Sequence, residues 1–190
     1  MKNFLRKHFD EIISLTDSEF DYIFAYYKGK KFKKHQFVIQ EGELVMHNYF
    51  VWKGCLKAYH TDNKGKDHVL QFALPNWWIT DYQAYYNTTA ASINIDCIED
   101  SELLYITLEN CEKICSEIPK MSEFYRKKAN KGYVALQQRI LSLLNSSANE
   151  RYEQMFKLYP QLFQKVPKQL IAAYLGVTRE TLSRLSAISK

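Results

Sequence analysis

The chain has 190 residues, of which 46% are hydrophobic and 25% are charged, and its formal net charge is +5. This is ordinary globular composition, sufficient for one sizeable core and a smaller module. No stretch reaches the roughly 18 to 20 uninterrupted apolar residues of a membrane helix, and Arg6, Lys7 and His8 interrupt the start before a signal peptide's apolar run develops, so we expect a cytoplasmic protein without a membrane partner.

The first 29 residues have the spacing of a helical region. Thr16 to Glu19 form a capping-box pattern, in which the Thr and Glu side chains satisfy free amides at a helix start. Apolar side chains then recur at helical spacing at Phe20, Ile23, Phe24 and Tyr27. The pattern predicts that this helical region ends at Gly29.

From Lys30 to about Ile106, short runs of β-branched and aromatic residues alternate with turn residues. The runs cover residues 36–40, 49–52, 56–60, 68–72, 92–98 and 102–106. Runs 56–60 and 68–72 flank Asn63 to Lys66 and predict a hairpin, because Asn and Gly tolerate the positive φ of a tight turn. Roughly eight strands at this density predict a double-sheet β jelly roll.

A short helix is predicted from Thr107 to Ile118, followed by a long one. Residues 120–145 contain no proline and one glycine, and their apolar residues recur every three or four positions, which predicts a helix of about seven turns. We expect this helix to pack against its copy in a homodimer, through Tyr125, Ala129, Tyr133, Leu136 and Ile140. The alternative is that it lies on its own β domain.

The C-terminal segment has the pattern of a helix-turn-helix. Ser147 to Glu150 is a second capping box, and helices are predicted through about Leu158, over Pro167 to Leu175 and over Thr178 to about Ile188. A helix-turn-helix needs a small residue at the helix crossing, a residue tolerant of positive φ in the turn and an apolar packing face. This segment supplies Ala172, Gly176 and, as the face, Ile171, Leu175, Val177, Leu182 and Leu185.

The last helix has one apolar and one polar face when its residues are placed 100° apart. Arginine donates two parallel hydrogen bonds to guanine and glutamate accepts from cytosine, so Arg179, Glu180 and Arg184 are the predicted base-contacting residues. The predicted contacts to the DNA backbone are Thr178, Ser183, Lys168 and Lys165. The alternative for Glu180 and Arg184 is a surface ion pair on an amphipathic helix.

Charge is distributed unevenly along the chain. Residues 1–118 contain 13 basic and 17 acidic residues, a net charge of −4, whereas residues 119–190 contain 13 basic and 4 acidic residues, a net charge of +9. A basic C-terminal third on an acidic body is typical of a module that binds a polyanion. A solvated surface helix is the alternative source of part of this excess.

The segment Gln169 to Arg184, QLIAAYLGVTRETLSR, resembles the DNA-binding segment of the Crp/Fnr regulators, whose recognition helix has the pattern Arg-Glu-Thr-apolar-small-Arg. Gly42-Glu43, Gly54 and Asn63 to Lys66 lie like the turns of that family's cyclic-nucleotide-binding jelly roll. The resemblance implies a homodimeric transcription regulator that binds an inverted repeat in double-stranded DNA, with RNA polymerase as a further partner. It also assigns base contacts to Arg179, Glu180 and Arg184.

Two departures from the family limit what the resemblance implies. Members that bind cyclic AMP hold its phosphate with a Gly-Glu-Leu turn and an Arg-Ser pair, and the corresponding residues here are Thr80 to Tyr82 and Ala91-Ser92. Because a buried phosphate needs a cation, we expect no response to cyclic AMP. The residues predicted to line a pocket for some other, unknown effector are Trp78, Asp81, Tyr82, Tyr85 and Ser92, with core packing as the alternative for the aromatic ones.

The second departure is that the sequence ends soon after the recognition helix, so we expect no full wing. The expected α+β architecture is a jelly-roll domain over residues 1–118 with flanking helices, a dimerisation helix over 119–145 and an all-α DNA-binding domain over 146–190.

Cysteine and histidine spacing bears on a rival function. The four cysteines form no CxxC pair, the family's iron–sulfur branch has an N-terminal cysteine cluster that is missing here, and the five histidines form no HxH or HxxxH pattern. We therefore expect no metal, no cofactor and no catalytic activity. The rivals are a cupin-like small-molecule-binding or metal-dependent jelly roll, although His47, His60 and His68 lack the spacing of its metal cluster, and a sensor whose last helices bind protein.

Overall fold

A computed structural model of the protein describes residues 1–188, with side chains to Ala187. The described helices are α1 Lys2–Asp10, α2 Asp17–Phe24, α3 Tyr82–Asn87, α4 Leu108–Glu117, α5 Pro119–Asn145, α6 Ala148–Leu158, α7 Pro160–Lys165, α8 Lys168–Leu175 and α9 Arg179–Ile188. The described strands are β1 Lys28–Phe32, β2 Phe37–Ile39, β3 His47–Lys53, β4 Leu56–Thr61, β5 Asp67–Ala73, β6 Trp78–Ile79, β7 Asn94–Cys97 and β8 Ser101–Thr107.

The chain divides into two compact units. The first comprises residues 1–58 and 72–130, with most of the strands, helices α1 to α4 and the start of α5. The second comprises residues 59–71 and 131–190, which are the end of the β4–β5 hairpin, the rest of α5 and helices α6 to α9.

The strands form two four-stranded sheets, in the orders β1-β8-β3-β6 and β2-β7-β4-β5. The pairings of β1 with β8, β3 with β8, β3 with β6 and β2 with β7 are antiparallel. This is the predicted jelly roll, and the predicted hairpin is present as β4 and β5. Its turn has Gly65 at a φ of 76°, and the Asp62 carboxylate accepts from the amides of Lys64 and Lys66.

The strands β3 and β8 place side chains in a core on each face of their sheet, because successive side chains of a strand point in opposite directions. In β3, Tyr49 and Val51 belong to the cluster that also contains Leu103 and Ile95. The side chain between them, Phe50, belongs instead to a second cluster that contains residues of α1, α2, α4 and the start of α5. Helices thus cover the outer face of the first sheet and build a second core there.

Both predicted capping boxes are confirmed. The Thr16 hydroxyl accepts from the Glu19 amide at 3.2 Å and the Glu19 carboxylate accepts from the Thr16 amide at 2.7 Å. Ser147 and Glu150 repeat the arrangement at the start of α6. These reciprocal bonds satisfy amides that have no partner within the helix.

The prediction that Gly29 ends a helical region was wrong. The helix α2 ends at Phe24, and Gly29 lies inside β1, opposite Leu104 of β8. The strand KGKKF buries only Phe32, so it shows no apolar alternation that the sequence would reveal. Its pairing with β8, from Phe32 opposite Ser101 to Lys28 opposite Tyr105, fixes it as a strand.

Candidate nucleic-acid interface

Helices α8 and α9 form a tight helix-turn-helix. Gly176 follows α8 with a φ of 68°, a left-handed conformation that glycine adopts without steric strain. The Val177 amide donates to the Ala172 carbonyl at 3.0 Å and closes the end of α8. The chain is thereby turned so that α9 begins at Arg179, three residues after Gly176.

Apolar side chains hold the two helices to α6. Both α8 and α9 contact α6, and they contact each other. Leu182 of α9 is 2% exposed, and Ala172 of α8, the predicted small residue at the crossing, is 3% exposed. The other buried apolar residues between positions 146 and 187 are Tyr152, Met155, Leu162, Val166, Ile171 and Leu175.

The opposite side of α9 is exposed and charged. Arg179, Glu180, Ser183 and Arg184 are all exposed, as the 100° spacing predicts for the polar face. This face contains two guanidinium groups and one carboxylate within six residues, all beside the same helix start.

Thr178 caps α9, since its hydroxyl accepts from the Thr181 amide at 3.2 Å. Hydrogen bonds from its own backbone amide and from Thr178 lower the pKa of Glu180, which is therefore ionised at neutral pH. Among the described residues, Glu180 and Arg184 form no ion pair, and the Arg184 guanidinium instead donates to the Thr181 hydroxyl at 3.4 Å. Both charged groups are thus available to an external partner.

The predicted backbone contacts lie next to this face in the chain. Lys165 ends α7 and Lys168 begins α8, and both side chains are exposed. Neither lysine is covered by the packing of α8 on α6. The structure therefore supplies cations just before α8 and at its first residue, in addition to those on α9.

The predicted dimer residues do not all have the same environment. Ala129, Tyr133, Leu136 and Ile140 are exposed along α5, and Tyr133 is 69% exposed. Tyr125 differs, because it packs against the helical core of the first unit and its hydroxyl lies 2.6 Å from that of Tyr27. The exposed apolar stripe of α5 therefore begins after Tyr125.

The structure brings together only part of the predicted effector pocket. Asp81 and Ser92 meet, since the Asp81 carboxylate accepts from the Ser92 amide at 2.8 Å and from the Ser92 hydroxyl at 2.9 Å. Trp78 faces the helical core and donates to the His8 ring at 3.0 Å. Tyr85 is buried between the sheets, whereas Tyr82 is 43% exposed and stacks on Tyr86.

Sequence reasoning missed two arginines of the second unit. Arg139 of α5 and Arg151 of α6 line a cavity of about 480 Å³ formed by α5, α6 and α8. Arg139 donates to the carbonyls of Val69 and Tyr174, and Arg151 donates to those of Ser146 and Leu175. The sequence signal for Arg139 was its position directly before Ile140, within the predicted apolar stripe of α5.

Two of the three histidines considered for a metal site have other partners. His68 lies 2.9 Å from the Asp62 carboxylate, and His47 packs edge-on against Tyr105. Within the part of the chain that the structure describes, no three His, Cys, Asp or Glu side chains converge as metal ligands. In residues 1–188, no helix combines the length and apolar character needed to span a membrane.

Comparison with known proteins agrees with this geometry. Residues 29–117 match the cyclic nucleotide-binding domain family. The chain is 21% identical over 169 residues to the transcriptional activator protein Anr of Pseudomonas protegens, covering 83% of this chain and 68% of the relative. Structurally it is similar to FixK2 of Bradyrhizobium japonicum, with a TM-score of 0.73, 18% identity, and coverage of 85% of this chain and 83% of FixK2.

A third similar structure is described as a transcriptional regulator of the Crp/Fnr family, from Eubacterium rectale. Its TM-score is 0.68 at 15% identity, covering 90% of this chain and 82% of that one. The fold defines a class of protein in which a β jelly roll precedes a long helix and a helix-turn-helix. Residues 29–117 thus belong to the cyclic nucleotide-binding domain family, and the chain as a whole is similar to a transcriptional activator and to a Crp/Fnr family regulator.

Proposed function

We propose that the protein is a cytoplasmic transcription regulator that binds a specific DNA sequence through α9. The observation that supports this most strongly is the division of α9 into a buried side at Leu182 and an exposed side with Arg179, Glu180 and Arg184. A helix held to its body by leucines while its polar side is free fits the major groove. Arginine discriminates guanine there, and glutamate accepts from cytosine.

The positioning of α9 on DNA is assigned to other groups. Lys165, Lys168, Ser183 and the capped helix start at Thr178 contact phosphates, since lysines and free helix amides favour anions. These contacts give affinity and salt dependence but no sequence preference. The specific and non-specific parts of binding are therefore separable by mutation.

The binding unit is a homodimer joined through α5. Tyr133, Leu136 and Ile140 form an apolar stripe that the described residues of one protomer leave exposed. Two-fold pairing of this stripe would place two α9 helices in successive major grooves, about 34 Å apart, on an inverted repeat. Residues 1–118 then form the jelly-roll domain, 119–145 the dimerisation helix and 146–190 the DNA-binding domain.

We further propose that the domain over residues 29–117 does not respond to cyclic AMP. Ala91 and Ser92 occupy the stretch that aligns with the phosphate-holding Arg-Ser pair, so no arginine is available there to neutralise the phosphate. RNA polymerase remains the partner expected of such a regulator at a promoter.

The test of the proposed function is selection of bound sequences from random duplex DNA by the full-length protein. The expected result is enrichment of an inverted repeat with half-sites about one helical turn apart. A variant with Arg179→Ala, Glu180→Ala and Arg184→Ala is selected in parallel and should enrich no common sequence. The Lys157→Ala variant is the matched control, because Lys157 is an exposed cation outside α9. Failure of the wild-type protein to enrich any sequence would contradict the proposal.

A further inference from the structure

Arg139 and Arg151 place two positive charges at the end of α8. Arg139 donates to the Tyr174 carbonyl at 3.2 Å, and Arg151 donates to the Leu175 carbonyl at 3.0 Å. Because these carbonyls belong to consecutive residues, the two guanidinium groups lie close to each other. Both arginines line the cavity of about 480 Å³ between α5, α6 and α8. Every residue of its wall lies within the second unit.

The positive charge at this cavity has no counterion in the chain. The cavity wall contains no Asp or Glu, and within residues 1–188 neither Arg139 nor Arg151 forms an ion pair. The Nη1 atom of Arg139 is buried and has no hydrogen-bond partner among the described residues. Burial lowers the pKa of Arg139, as is usual for a cation held away from water. A buried charge without a partner is unfavourable, and an anion bound beside it would offset that cost.

Much of the remaining wall of the cavity is apolar. Leu143, Met155 and Leu158 contribute to it, and so does Tyr174, on whose ring the Arg139 guanidinium stacks. A concave site with apolar walls and a few convergent polar groups is typical of a site for a small organic ligand. A planar guanidinium matches the geometry of a carboxylate, and an apolar chain matches the rest of the wall.

The cavity lies on the side of α5 away from the exposed apolar stripe. The α5 residues Gln138, Ser142 and Asn145 belong to its wall and recur at helical spacing. At 100° per residue they point roughly opposite to Leu136 and Ile140 of the stripe. A partner helix that packs on the stripe would therefore leave the cavity uncovered.

We propose that this cavity binds an organic carboxylate, whose charged group accepts hydrogen bonds from Arg139 and Arg151 and whose apolar chain packs against Met155 and Leu158. The site lies outside the matched domain over residues 29–117, and the inference goes beyond the proposed DNA binding. Because α5, α6 and α8 all contribute to the wall, a bound ligand would stabilise the packing of the helix-turn-helix on the end of α5. The competing account is that the two arginines only satisfy helix carbonyls.

The variant that separates the two accounts is Gln138→Glu. Gln138 is exposed and lines the cavity beside Arg139, so a glutamate there should leave the fold intact while it repels a second carboxylate. The matched control is Gln137→Glu, the same change at an exposed neighbour that is not part of the wall. Calorimetry and thermal unfolding of the full-length protein measure the Kd and the thermal midpoint with octanoate, with neutral octanamide and with inorganic phosphate.

The expected result is that octanoate raises the thermal midpoint of the wild type and binds it at least about tenfold more tightly than octanamide does. Gln138→Glu should weaken octanoate binding at least about tenfold, and Gln137→Glu should change it less than about twofold. If Gln138→Glu proves unstable, Leu158→Glu places the same charge at a wall position that is 62% exposed.

Three results would overturn the proposal: no measurable octanoate binding to the wild type, equal affinity for octanoate and octanamide, or equal octanoate affinity of Gln138→Glu and Gln137→Glu. Tighter binding of inorganic phosphate than of octanoate would also overturn it, because the site would then not select an organic carboxylate. None of these measurements uses DNA, so their outcome is separate from that of the sequence selection.

Discussion

The guanidinium group of Arg139 stacks on the ring of Tyr174, with its central carbon 3.5 Å from the ring centroid. The same group donates to the Tyr174 carbonyl at 3.2 Å and to the Val69 carbonyl at 2.7 Å. One side chain of the long helix therefore holds both the β4–β5 hairpin and α8, all within the second unit. Burial lowers the pKa of Arg139.

The first prediction concerns this contact. Arg139→Ala leaves two carbonyls without their donor and removes the stacking on Tyr174, so it should lower the free energy of unfolding by about 1 to 3 kcal/mol. Arg139→Lys should recover only part of the loss, because an ammonium lacks the planar guanidinium that stacks on Tyr174 while its Nη2 donates to both carbonyls. Urea denaturation followed by circular dichroism measures both effects.

The control for Arg139 is Lys131→Ala, which removes an exposed cation from the same helix. A change within about 0.5 kcal/mol is expected there, as for most surface substitutions. If Arg139→Ala were no more destabilised than Lys131→Ala, the contact would have no energetic role.

The second prediction concerns the stripe on α5. Leu136 is 55% exposed in the single chain, so Leu136→Glu should leave the fold intact. In a dimer the new glutamate would be buried against its copy on the partner helix. The dimer Kd should therefore rise at least about 100-fold, which corresponds to about 2.7 kcal/mol of association free energy. Sedimentation equilibrium measures this, with Gln137→Glu as the control of equal charge at the next position. A wild-type protein that stayed monomeric would refute the proposed interface.

The third prediction concerns Gly54, which has a φ of 111°. A Cβ added there would lie 2.7 Å from the Ser101 Cα and 2.1 Å from its Oγ. Gly54→Ala should therefore destabilise the protein by at least about 2 kcal/mol. Gly132→Ala is the opposite case, since Gly132 lies in α5 with no described atom within 4 Å of the added Cβ. Gly132→Ala should stabilise the protein by about 0.4 to 1 kcal/mol. Thermal unfolding measures both variants, and a change of the opposite sign in either one would contradict its prediction.

Features determined by neighbouring residues were predictable from the sequence. The capping boxes at Thr16 and Ser147 need only two side chains three residues apart, and both are present. The amphipathic pattern of α9 likewise follows from a fixed rotation of 100° per residue, which separates Leu182 from Arg179 and Arg184.

Features determined by distant residues were not predictable. The strand β6 has two residues, Trp78 and Ile79, and exists because they pair with Phe50 and Tyr49. The same distant contacts decide that Trp78 faces the helical core, so its aromatic character alone could not place it in or out of a pocket. Helix α7 is only six residues long and has too few turns to show a periodicity.

The central claim is that the exposed side of α9 contacts bases, and Arg184→Ala tests it most directly. Fluorescence anisotropy measures the Kd of this variant and of wild type for the selected site and for its single-base substitutions, at one fixed salt concentration. Loss of the guanine contact should raise the Kd for the selected site roughly 5- to 150-fold, which corresponds to about 1 to 3 kcal/mol of binding free energy. It should also abolish the preference at one base pair. Lys165→Ala should instead weaken binding to all sequences equally. An unchanged Kd and an unchanged base preference for Arg184→Ala would contradict the claim.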